Sequence, residues 1–325
     1  MPETETKKVD IPNFIQGPLT LEGKRQKAEE ELELVADNFK TKVSRRNWSG
    51  TSDNLNLNEI RAQGAKLGPE SIYMLEGFMG VENHIPEYAV AGFEGFKGSP
   101  ARLDIHRQWV KDEEGHGKTL EMILDIAGAR SQDQIKSYNE KVSSRPWNPL
   151  QHKGINNMIG SAIFAAEQER ATYSNYKNFI RRVRVELGLR EIVTEGERKR
   201  GQQFGMLEPT HRVAYEEITH HGVYIQIVKI YLNHFLDETL EKMKEVLESF
   251  KMPALRLIPN PRFFIEALLN TGVYSEAIHR RDAHIPTLKA LGFESDEHLR
   301  HAVAEIEAKE GNHDRLESST PAATS

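Results

Sequence analysis

Apolar residues recur at intervals of three and four along most of the chain, and long alternating β-branched runs are absent. Ala28, Leu32, Val35, Ala36, Phe39 and Val43 form one such stripe, with charge on the opposite side, which predicts an amphipathic first helix. A Gly/Asn/Ser-rich stretch from Asn47 to Asn58 follows. Pro69, tolerated in a first turn, opens a helix expected to run to about Gly95. Ser99-Pro100 supplies an N-cap and a first-turn proline for the next, which extends to about Gly128. A shorter helix spans Ser131 to Val142 and stops at a Pro-Trp-Asn-Pro turn. The longest runs from about Gly154 to Glu186, and another from Glu208-Pro209 to roughly Phe235. Further helical segments fit 237–250, 261–270, 275–291 and 296–309, broken by Pro253, Pro259, Pro261 and Gly292. Residues 1–20 and 311–325 are polar and read as flexible ends. With no repeat and no linker between them, residues 21–310 are expected to form one all-α domain.

Composition narrows the chemistry. The 325 residues include no cysteine, so disulfides, zinc fingers, thiol nucleophiles and cysteine-ligated clusters are excluded. Any metal must be held by carboxylates, imidazoles or carbonyls. A net charge of −6 argues against a general nucleic-acid binder. No secretory signal and no bilayer-length apolar stretch is visible, so a cytoplasmic protein that does not span a membrane is expected.

Four apolar stripes carry carboxylates where a core-facing helix should be apolar. Glu82 lies among Leu75, Phe78, Met79 and Ile85, and Glu169 among Ala162, Ala165, Ala166 and Tyr176. Trp109, Val110, Leu120 and Leu124 share the face of Glu113 and His116, while Val213, Ala214, Tyr224 and Val228 share that of Glu217 and His220. A Glu-x-x-His pair alone says little, since chance gives about one or two in a chain with 13 His. Five occur, beginning at Glu113, Glu208, Glu217, Glu276 and Glu310. Glu208 precedes a helix-opening proline, Glu310 lies in the polar tail, and Glu276 has no isolated Glu to complement it. The remaining order is Glu82, Glu113/His116, Glu169, Glu217/His220. One Glu from each of two helices and Glu-x-x-His from each of two others is the ligand set of ferritin-like dimetal carboxylate bundles. Two divalent cations would neutralise four carboxylates that otherwise repel one another out of water. The all-oxygen-and-nitrogen donor set suits iron or manganese.

The local motifs resemble those of the soluble acyl-acyl carrier protein desaturases. Gln168-Glu169-Arg170-Ala171-Thr172 matches that family's QERAT, Glu113-Glu114-Gly115-His116-Gly117 resembles its ENRHG, and Glu82-x-x-x-Pro86-x-Tyr88 resembles its first ligand helix. Glu216-Glu217-Ile218-Thr219-His220 takes the place of DEKRH, and Phe250-Lys251-Met252-Pro253 resembles the turn after the bundle. The resemblance covers roughly residues 65–260. It departs at Glu114-Gly115, where the family has Asn-Arg, at Glu216, where it has Asp, and at His221, where it often has Glu.

This resemblance implies a ferritin-like helix bundle with additional C-terminal helices, holding two iron ions per chain through Glu82, Glu113, His116, Glu169, Glu217 and His220. It implies Thr172 beside the oxygen-binding face, O2 as co-substrate and a homodimer. The expected reaction places a double bond in a fatty acyl chain borne on acyl carrier protein. Electrons would come from a ferredoxin-type donor, because the chain has neither cysteine nor a dinucleotide fingerprint. An oxygenase acting on a tethered substrate and a metal-binding protein without turnover are the rivals. Between Lys177 and Arg200, Lys177, Arg181, Arg182, Arg184, Arg190, Arg198, Lys199 and Arg200 exceed the glutamates by four, which suggests a dock for an acidic partner.

Overall fold

The structure is a computed structural model. It describes residues 19–44, 55–145, 155, 157–190, 205–252 and 257–318. Residues 1–18, the Pro-Trp-Asn-Pro turn, Arg198–Arg200, Pro253 and the tail from 319 lie outside them. All secondary structure among the described residues is helical: α1 (Leu21–Ser44), α2 (Leu57–Gly64), α3 (Pro69–Glu82), α4 (Ile85–Gly95), α5 (Pro100–Ile126), α6 (Gln132–Ser143), α7 (Met158–Glu186), α8 (Leu207–His234), α9 (Leu236–Ser249) and α10 (Pro261–Asn270). After α10 come α11 (Glu276–His279), one π turn (Arg280–His284), α12 (Ile285–Ala290) and α13 (Asp296–Ser318). The fold is a ferritin-like bundle with additional C-terminal helices. No described helix is long and apolar enough to cross a membrane.

Helices α3, α5, α7 and α8 make the central bundle, with α7 and α8 in the most extensive contact. α1 lies across α5 and α8, α9 packs on α7, and α10 covers α3. The buried apolar residues separate into two cores. One gathers the N-terminal halves of α5 and α7 with the C-terminal half of α8, including Ile105, Trp109, Ala162, Ala166, Val223 and Val228. The other gathers the opposite halves, including Leu120, Leu124, Tyr176, Phe179, Val213 and Ala214. On α5 and α8 the segment between the two cores carries a Glu-x-x-His pair, and on α7 it carries Glu169.

Helix ends follow local chemistry. Ser99, Asn157 and Ser131 cap α5, α7 and α6 through side-chain acceptors, and Ser131 with Gln134 completes a capping box. The Asn157 cap sets the start of α7 at Met158 rather than near Gly154. α8 likewise starts two residues before Pro209, which fits inside its first turn.

Three helices differ from the sequence pattern, two for the same reason. The expected helix from Pro69 to Gly95 breaks immediately after Glu82, because the Pro86 ring would meet the Glu82 carbonyl. The expected helix 275–291 widens into the π turn ahead of Pro286, whose ring would meet the Asp282 carbonyl. That carbonyl instead accepts a hydrogen bond from Arg170 Nε at 2.9 Å. The last helix passes Gly311 and ends at Ser318, since one interior glycine costs only about 1 kcal/mol.

Gly77 tests the seat of α3. A Cβ there would lie 2.1 Å from the Phe264 ring of α10. Gly77→Ala is expected to cost about 1–3 kcal/mol by overpacking, read by denaturant unfolding. Unchanged stability would contradict this packing.

Candidate metal centre

The layer between the two cores gathers all six residues that the sequence pattern singles out. One group of ligand-type atoms comes from Glu82, Glu113, His116 and Glu217, and a second from Glu113, Glu169, Glu217 and His220. Within each group the atoms lie within 4.8 Å of one another, and every contributing residue is buried. Glu113 and Glu217 belong to both groups, so they stand between two adjacent positions.

The imidazoles are oriented alike. His116 Nδ1 lies 3.0 Å from Glu113 Oε2 and 3.1 Å from Glu217 Oε1. His220 Nδ1 lies 3.0 Å from Glu113 Oε1 and 3.4 Å from Glu169 Oε2. Each ring turns its Nε2 outward to another carboxylate: His116 to Glu216 at 2.9 Å, and His220 to Asp112 at 3.2 Å. The arrangement is crossed. The acid that precedes Glu113 on α5 holds the histidine of α8, and the acid that precedes Glu217 on α8 holds the histidine of α5. Such outer carboxylates fix ring orientation and raise the basicity of the inward nitrogen. The longer Glu216 reaches its histidine in place of the Asp of the resembled motif.

Further contacts set the carboxylates. Tyr176 donates its hydroxyl to Glu82 Oε1 at 2.6 Å, and Trp109 Nε1 donates to Glu169 Oε1 at 3.0 Å. Phe39 of α1 meets His220 edge-on at 5.8 Å and closes the layer on that side. Thr172 lines a small cavity with Glu82, Glu113, Glu169 and Glu217. Its hydroxyl makes no bond back to its own helix, unlike those of Thr119 and Thr219, which bond to the carbonyl four residues earlier.

The donor set fits two divalent cations. Glu113 Oε1, Glu217 Oε1 and His220 Nδ1 are buried without a hydrogen-bond partner, although they face one another at the centre. The cluster's electrostatics express the same deficit of positive charge. Burial, reinforced by Glu113, pushes the Glu82 carboxyl up to about 8, and burial with Glu113 and Glu169 pushes Glu217 well above the usual range. For Glu113, burial opposes ionisation, but His116 and His220 outweigh it and hold the pKa low. Burial also opposes charge on both histidines, and the surrounding carboxylates reverse the sign and hold them protonated well above 6.5. Cations entering the layer would displace these protons.

Several residues were not evident from the sequence pattern. Asp112 and Trp109 were not singled out as site residues, although the doubled acids of Asp112-Glu113 and Glu216-Glu217 are a signal that could have found the first. Tyr176 is a core aromatic that also holds a site carboxylate, whereas Tyr173 sits half-buried beneath Arg170 and Lys177. His221 turns away and faces the Ala166 carbonyl at 2.8 Å. The discounted His279 joins His284 around buried Glu167, apart from the six. One member of the basic stretch needs correction: Arg184 is buried, its Nε bonded to the Arg190 carbonyl, because it falls on the inward face of α7. It offers no charge to a partner.

The protonation pattern predicts how metal-free protein responds to pH. Glu82 keeps its proton to about pH 8 when folded but loses it near 4.5 when unfolded. Glu217 and both histidines are shifted in the same sense. The folded state therefore binds more protons in that window, and stability falls as pH rises from about 5 to about 9. A fall of roughly 5 °C in Tm is expected, abolished by two equivalents of divalent metal. A flat or rising Tm in metal-free protein would contradict it.

Comparison with known proteins gives one family. The sequence profile described as "Fatty acid desaturase" matches residues 47–282. No curated protein sequence matches. Among solved structures, a valine-to-isoleucine mutant of an R2-like ligand-binding oxidase, with an aerobically reconstituted Mn/Fe cofactor, is similar over 84% of this chain and 90% of its own. The identity is 16% and the TM-score 0.48. Because the family match spans most of the chain, this protein belongs to the fatty acid desaturase family, that of the acyl-carrier-protein desaturases its motifs resemble.

Proposed function

We propose that the chain is an O2-dependent diiron enzyme that places a double bond in a fatty acyl chain carried by acyl carrier protein. Family membership makes it an oxidoreductase with a dimetal site, and the rest is our reading. The observation that carries it is the convergence of Glu82, Glu113, His116, Glu169, Glu217 and His220 into two sharing groups beside an apolar cavity. We assign these six as ligands, with Glu113 and Glu217 common to both ions. Residues 21–310 are taken as one domain, because the same helices thread both cores.

Bound iron would supply the redox capacity to cleave an unactivated C–H bond with O2. The balanced change removes two hydrogens from adjacent carbons while O2, two electrons and two protons give two waters. A ferredoxin-type donor supplies the electrons. The chain's own residues do the remaining work. Asp112 and Glu216 hold the imidazoles, Tyr176 and Trp109 hold the outer carboxylates, and Phe39 helps keep water out. The Thr172 hydroxyl, free of its helix and facing the cavity, is placed to pass protons at Oγ1.

The acyl chain is assigned to the second cavity, which begins at Trp109 and Glu169 and is walled by Ala91, Phe96, Phe164 and Tyr224. Its lining is mostly apolar, as a hydrocarbon guest requires. The carrier and donor would dock through the exposed part of the basic stretch, to which Lys177 and Arg190 contribute. A homodimer and a cytoplasmic location complete the proposal.

Mass analysis of acyl-carrier substrates after aerobic incubation with a reducing system tests it. The expected product is about 2 mass units lighter, and Glu169→Ala should abolish it. Product chiefly 16 units heavier would assign a hydroxylating oxygenase instead. Oxygen uptake with no altered acyl chain would overturn both.

A further inference from the structure

The acyl cavity has a direction. Trp109 and Glu169 stand at its metal end, while Phe96 and Asn157 stand at the other. Behind Phe96 lies Arg102, which is 1% exposed and has its guanidinium 4.2 Å from that ring's centre. Its Nη1 donates to Tyr231 Oη at 2.9 Å and to the Met158 carbonyl at 3.0 Å. Its Nη2 is buried with no partner. Among the described residues no carboxylate forms an ion pair with it. Glu29, nearby in the same corner, is engaged by the Ser99 hydroxyl and the Ala101 N–H at the start of α5.

A buried guanidinium without a counter-ion costs several kcal/mol, and an open donor adds to that cost. Burial pushes His106, one turn further along α5, down to about 4, so its ring is neutral and adds no charge beside the guanidinium. Arg102, His106, Trp109 and Glu113 lie on one stripe of α5. Eleven residues, or about 16 Å of helix rise, separate Arg102 from Glu113. That stripe thus carries one cation, two rings of the cavity wall and a proposed metal ligand, in that order.

We propose that Arg102 is an anion anchor: it receives a carboxylate at the terminus of the aliphatic chain in the cavity and so fixes which carbon lies beside Glu169. The Phe96 ring, which separates the cavity from the guanidinium, swings aside as the carboxylate enters. The carboxylate would be that of a free fatty acid, or the distal group of an ω-carboxyacyl chain on a carrier. This inference rests on the reading that the cavity holds the chain to be oxidised.

Titration calorimetry on full-length, metal-loaded protein without O2 tests it. Dodecanoate should bind about tenfold more tightly than dodecanol, as a charge-assisted pair at Nη2 requires. Arg102→Gln should erase that preference and leave dodecanol binding unchanged, while Arg102→Lys keeps part of it. The pantetheine thioesters of dodecanoic and dodecanedioic acid separate the two sources. Preference for the second assigns a carrier-bound chain, and equal affinities beside a preference for free dodecanoate assign the free acid. If neither pair is discriminated, or if the preference for dodecanoate survives in Arg102→Gln, the anchor is wrong and the acyl reading stands. If none of the four probes binds, the acyl reading falls and takes the anchor with it.

Discussion

Four carboxylates packed into one dry layer are the constraint on which the rest of the structure depends. Glu82, Glu113, Glu169 and Glu217 are all buried, and removing that much like charge from water would be prohibitive without compensation. Without metal, the layer compensates by retaining protons on Glu82 and Glu217 and by protonating both histidines. Two divalent cations would balance the four negative charges directly. The apolar cores above and below keep the layer together, because α5, α7 and α8 cannot slide without exposing both.

The supporting contacts serve that layer. Crossed carboxylates from Asp112 and Glu216 tie α5 to α8, and the Tyr176–Glu82 and Trp109–Glu169 bonds tie α7 to α3 and α5. The break forced by Pro86 leaves Glu82 as the last residue of its helix. α4 then turns away, and its small residues Ala91 and Gly92 make room for the cavity that opens beside Glu169.

The bundle was legible in the sequence because period-3.6 stripes and capping residues are local signals. The convergence of the six residues was legible because each interrupts an apolar stripe, a departure that burial makes costly. Contacts across helices were less visible. Asp112 sits at the margin of its stripe, and its role depends on α8 passing within 3.2 Å. Trp109 reads as an apolar core residue, and only its neighbour on α7 shows what the indole N–H does. Arg184 reads as surface charge because arginine usually is, yet the inward turn of α7 buries it. The break after Glu82 and the π turn before Pro286 were readable in principle, since a proline acts on the carbonyl four residues earlier.

Metal stoichiometry in two single variants tests the central claim most directly. Glu217 belongs to both groups of ligand atoms, whereas Glu82 belongs to one. Elemental analysis after anaerobic loading and desalting should give about two ions per chain for the parent protein. Glu82→Ala should retain about one, and Glu217→Ala close to none. Two ions retained in Glu217→Ala, or the same loss in both variants, would contradict a shared-carboxylate dimetal layer.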